Sequence, residues 1–189
     1  MSAKPTDSAY SERGKRSRSA ALKAAAGGIA LATAMILSYV ETLIPFNIGI
    51  PGIKAGLPNI VVLFVLYKYG IGYAAAVSLL RVALAGILFG SAPSFIYSLS
   101  GALISLGVMF LLKKTDLFSS RGVSVAGGIS HNIAQVCAAA VLMNTADILY
   151  YLPALVIGGT VSGALIGIAG SILIKKINIT DKINREDQL

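Results

Sequence analysis

From Gly72 to Gly90 the chain carries one charge, Arg81, near the middle of a run otherwise made of small, aliphatic and aromatic residues and one serine. Uncharged apolar stretches of comparable length recur along the sequence. About 20 such residues form a helix that crosses the roughly 30 Å hydrocarbon core of a bilayer. An arginine at that depth costs several kcal/mol unless it faces a protein interior, a partner anion or water. Arg81 is therefore either a ligand group or half of an internal ion pair.

Composition agrees with the membrane reading. Of 189 residues, 56% are hydrophobic and only 13% charged, against about 25% charged in soluble domains. The net charge of +8 is a matter of placement. Lys4, Arg13, Lys15, Arg16, Arg18 and Lys23 crowd one end of the chain, and Lys175, Lys176, Lys182 and Arg185 the other. Basic residues flanking spans follow topology and anionic lipid, so nucleic acid is not an expected partner. Cys137 is the only cysteine, which excludes an intrachain disulfide and a thiolate metal cluster.

The expected fold is an all-α integral membrane protein of six transmembrane helices. Residues 1–20 read as a disordered basic cytoplasmic tail, 21–176 as the six-helix membrane domain and 177–189 as a cytoplasmic C-terminal tail. The spans are placed at about 22–40, 57–69, 71–90, 94–113, 123–144 and 150–175. With both ends cytoplasmic, the inner connections hold Lys68, Lys113, Lys114, Arg121, Lys175 and Lys176, whereas the outer ones hold Lys54 alone. The first outer connection, about 41–57, is long and rich in Gly and Pro. It is expected to fold back as an extracellular cap, its backbone satisfied by protein.

Lys54 and Arg81 are thus the cations that topology does not explain. On the fifth span His131 and Gln135 stand four apart, on one helical face, and Asn132 lies about 100° around from His131. Arg81 and His131 fall at similar depth and meet if spans three and five are neighbours. Asn59, Tyr97 and Asn144 are candidates to line the same cavity. Cationic and amide groups together suit a phosphate, diphosphate or carboxylate, which arginine grips through two oxygens. The rival reading pairs Arg81 with Glu41 or Asp147. No second histidine supports a metal site. The chain has no P-loop and no Asp-rich cluster to hold Mg²⁺ against a diphosphate. No catalytic residue, metal or cofactor of its own is expected.

Small residues form two ridges, Ala26, Ala30, Ala34 and Ser38 on the first span and Gly159, Gly163, Gly167 and Ser171 on the sixth. Such ridges let helices approach closely, inside the bundle or against an external helix.

The segments Glu41-Thr-Leu-Ile-Pro45, Pro51-Gly-Ile-Lys-Ala-Gly-Leu-Pro-Asn59, Arg81 with Gly86 and Gly90, and Ser130-His-Asn-Ile-Ala-Gln135 resemble the membrane family known as heptaprenyl diphosphate synthase component I, also called the Gx transporter family. The likeness spans roughly residues 25–176, and Lys54-Ala-Gly-Leu-Pro-Asn59 is its most specific piece. That family is in turn similar to the substrate-binding S components of energy-coupling factor (ECF) transporters. The resemblance implies a subunit in the bacterial plasma membrane whose first loop gates an outward-facing pocket. It implies that Ala26, Ala30 and Ala34 dock on a transmembrane coupling (T) subunit driven by two ATPase subunits. The solute would be held by Lys54, Asn59, Arg81, Tyr97, His131, Asn132 and Gln135. Two other readings stand beside it: a noncatalytic membrane subunit of a prenyl diphosphate synthase, and a stand-alone secondary transporter. The latter predicts inverted repeats and broken helices, and residues 22–90 and 94–175 show no convincing repeat.

Overall fold

Small residues set how closely these helices meet, and the closest meeting is between the fifth and sixth. The computed structural model describes residues 7–43, 56–89 and 92–186, with side chains described for 17–18, 20–43, 56–88 and 92–177. In order they form α1 (Asp7–Leu43), α2 (Asn59–Lys68), α3 (Ile71–Phe89), α4 (Ala92–Lys114), α5 (Ser120–Leu142), a short 3-10 helix (Asp147–Tyr151) and α6 (Leu152–Glu186). Gly128, Gly159 and Gly163 bring the α5 and α6 backbones into contact: a Cβ on Gly159 would stand 2.7 Å from the Gly128 carbonyl oxygen. The packing is antiparallel, with Gly128 against Gly159 and Ser124 against Gly163. The glycine ridge of the sixth span is therefore used inside the bundle.

Among the described residues, five helical segments are long and apolar enough to cross a membrane: Ala20–Leu43, Ile71–Leu88, Ala92–Lys114, Ser120–Leu142 and Asp147–Ile177. Their outward faces carry large apolar side chains such as Ile29, Ile87, Leu111, Val141 and Leu165, all exposed, while Ser38, Ser78, Ser105, Ser124, Asn132 and Ser171 are buried. Apolar residues outside and small polar ones inside are what a lipid solvent selects. The chain is a multi-pass helical membrane protein.

The second expected span, about 57–69, is the short helix α2. α2 has ten residues, about 15 Å at 1.5 Å per residue, half of a hydrocarbon core. Val62, Leu63, Val65 and Leu66 are almost wholly inaccessible. A short helix apolar on every side belongs in an interior, and α2 sits among α1, α3 and α6. Its start, after Gly56 at φ +73° and Pro58, and its end at Gly70, φ +88°, are both abrupt. Lys113 closes its C-terminus by donating from Nζ to the Leu66 carbonyl at 2.7 Å, with the ammonium 5.0 Å from the Tyr67 ring centre.

α1 begins at Asp7, inside the stretch read as a disordered tail, and α6 continues to Glu186, through most of the expected C-terminal tail. Each extension is attached to an existing helix, so no new nucleation is needed. Along the alanine ridge of α1, Ala34 is fully buried and Ala30 is 8% exposed, both in the core with Leu63, Ala74 and Val77, while Ala26 is half-buried. The face α1 leaves open carries Leu22, Ile29, Ile36 and Leu43.

Contacts between helices also sort the two ends of the bundle. Lys113 beside Leu66 and Arg121 beside Ser171 gather the basic residues at one end. At the opposite end α1 and α3 finish and α2 and α4 begin, as the Glu41–Gly56 and Gly86–Phe95 contacts show.

Candidate functional site

The non-basic end holds a cavity of about 140 Å³, lined among others by Glu41, Asn59, Arg81, His131 and Gln135. Each arrives for a local reason. Glu41 is in the last turn of α1, and its Oε1 accepts from the Gly56 backbone N–H. Asn59 opens α2, one residue after Pro58. Arg81 sits midway along α3. Its Nε is buried and has no hydrogen-bond partner among the described residues. Unsatisfied buried donors of a charged group are rare and costly. Glu41 is the carboxylate whose charge acts on the guanidinium.

His131 and Gln135 reach the cavity because α4 has no side chain in their way. A Cβ on Gly101 would come 2.8 Å from His131 Cε1 and 2.9 Å from Gln135 Cγ. Gly86 makes similar room for Phe95, another lining residue. α4, packed against both α3 and α5, stands between the two helices expected to be neighbours. Arg81 and His131 nevertheless face one void.

Two further cavities adjoin. A small one of about 40 Å³ shares Asn59, His131 and Gln135 with the first and adds Asn132. A larger one of about 330 Å³ shares Ser94, Ser98 and Gln135 with the first, and its remaining lining is mainly apolar, including Val136, Ala139 and Leu155.

Of the expected site residues, then, Asn59, Arg81, His131 and Gln135 come together around one cavity. Tyr97 does not join them; it lines the larger apolar chamber. Asn132 is turned toward α6, where its Nδ2 donates to the Leu155 carbonyl at 2.7 Å. The 100° offset from His131 accounts for that separation. Asn144 is exposed and turns the chain after α5 with φ +49°. Lys54, and with it most of the expected cap, lies outside the described residues.

Sequence reading missed Ser38, Ser94 and Ser98 as lining groups and Gly101 as the residue that admits His131. Serines and glycines are too frequent in membrane helices to stand out individually. One usable signal existed: Ser94 and Ser98 lie four apart, on one face of α4.

A family model described as Heptaprenyl diphosphate synthase component I matches residues 30–173. No curated protein and no solved structure matches the chain.

Proposed function

We propose, for a chain that belongs to the heptaprenyl diphosphate synthase component I family, a noncatalytic membrane subunit that captures a small anionic solute from outside and hands it to an ATP-driven importer of the ECF type. One observation carries this reading: a guanidinium whose buried Nε lacks a partner among the described residues faces a void lined by amide, imidazole and hydroxyl groups. An oxyanion is the ligand that such a donor set suits. Glu41, the one carboxylate among the described lining residues, is engaged by the Gly56 N–H. It moderates the field of Arg81 without filling the space beside it. The cavity lies at the end opposite the basic residues, the outer end if positive charge stays inside. Hydrolysis then belongs to partner ATPases, reached through a coupling subunit. With Ala30 and Ala34 buried, docking falls to the outward stripe of α1 that carries Ile29 and Ile36.

Native mass spectrometry of the purified protein tests the site. The wild-type chain is expected to retain a small anionic molecule that Arg81→Gln loses, with insertion and yield unchanged. Equal retention by both would remove Arg81 from the site.

The family description favours a second reading, a membrane subunit accompanying a prenyl diphosphate synthase. Copurification separates the two. A coupling subunit with two ATPases supports import; a soluble prenyltransferase supports the second reading.

A further inference from the structure

The cavity beside Arg81 adjoins a second, larger chamber. Ser94, Ser98 and Gln135 line both it and the 330 Å³ chamber, so one partition of three short or flexible polar side chains separates them. Beyond the partition the character changes. Val136, Ala139 and Leu155 are buried on the chamber side, and Met143 and Tyr151 form a rim that is exposed. The chamber is more than twice the volume of the polar cavity and within the size range of small-molecule pockets. A small, fully polar solute would use only the first compartment. A polar cavity abutting an apolar chamber matches a molecule with the same division.

We propose that the ligand is an anionic amphiphile: an oxyanion head, carboxylate or phosphate, beside Arg81, and an apolar body passing Gln135 into the Val136–Ala139–Leu155 chamber. This rests on the anion-binding reading of the Arg81 cavity and adds the ligand's second half. The carboxylate of Glu41 in the same lining favours a head of low charge, since each added negative charge is repelled by it. Ser94 and Ser98 are positioned to bond the polar atoms where head joins body. The exposed rim gives the far end of the body an exit toward lipid.

The test uses the full chain in zwitterionic nanodiscs, with empty discs subtracted, and ligand-observed NMR titration. The probes are acetate and hexanoate, inorganic phosphate and hexyl phosphate, and 1-hexanol. For at least one head, the hexyl compound is expected to bind tenfold or more tighter than the head alone, about 1.4 kcal/mol, and tighter than hexanol. Ala139→Phe, which fills the chamber, brings the hexyl compound to the affinity of its head and leaves the head unchanged. Met143→Trp, at the exposed rim, repeats the test without a buried substitution. Equal binding of head and hexyl compound in the wild type, or no effect of either filling variant, overturns the amphiphile while the anion site stands. Affinities for every anion unchanged in Arg81→Gln would instead overturn the anion site itself.

Discussion

Gly101 of α4 faces His131 of α5 at a separation that leaves no room for a methyl group: a Cβ there would lie 2.8 Å from the imidazole Cε1 and 2.9 Å from its Nδ1. A hydrogen at one position thereby sets the direction of a side chain thirty residues away, and with it the shape of the Arg81 cavity.

Gly101→Ala is expected to push His131 and Gln135 toward the void. Overpacking of this kind costs about 1–3 kcal/mol. The prediction is a moderately lowered unfolding temperature in detergent with complete loss of the retained ligand. A variant that unfolds normally and keeps its ligand would mean that the imidazole has another place to go.

The α5–α6 contact is backbone on backbone, and a new Cβ there cannot be absorbed by a rotamer change. Gly159→Ala is expected to destabilise by about 1–3 kcal/mol, because its Cβ would meet the Gly128 carbonyl at 2.7 Å. Gly107→Ala in α4 is the matched control, with nothing within 4 Å of the added carbon. There the change should be neutral or stabilising by up to about 1 kcal/mol. Thermal unfolding of the two variants in the same detergent gives the comparison.

Asn132 holds α6 through its bond to the Leu155 carbonyl. Asn132→Leu should cost about 0.6–1.7 kcal/mol, the range for interhelical hydrogen bonds in membrane proteins. Binding of acetate or inorganic phosphate, which use the head site alone, should change little, since Asn132 lines the 330 Å³ chamber and not the Arg81 cavity. A large loss of ligand without loss of stability would return Asn132 to the polar site.

Glu41 combines two roles that a single substitution separates. Glu41→Gln keeps an oxygen to accept from the Gly56 N–H and removes the negative charge acting on Arg81. Anion affinity should rise by about 1 kcal/mol, roughly fivefold, as read in the hexanoate or hexyl phosphate titration. Weaker binding would mean that the carboxylate itself holds the ligand or its counter-ion.

Several of these features were legible before any coordinates. Charge depletion and run length established a multi-pass helical chain, because a bilayer admits few other solutions for uncharged runs of that length. Arg81 stood out for the same reason. The shared face of His131 and Gln135, and the different direction of Asn132, followed from helical geometry alone. The alanine ridge marks a surface suited to close packing, but its periodicity carries no information about whether the neighbour is this chain or another.

The sequence by itself determined the solvent, the helical class and the anomalous cation, since these depend on composition and on residues within a few turns of one another. Tertiary structure alone decided that α2 is packed among α1, α3 and α6, that Ala30 and Ala34 face inward, and that Glu41 shares a cavity with Arg81. It also decided that Tyr97 looks into a different chamber. Each of those outcomes turns on which helices touch and at what rotation. That is set by the summed packing of many small side chains in a medium that gives no preference for burying apolar ones.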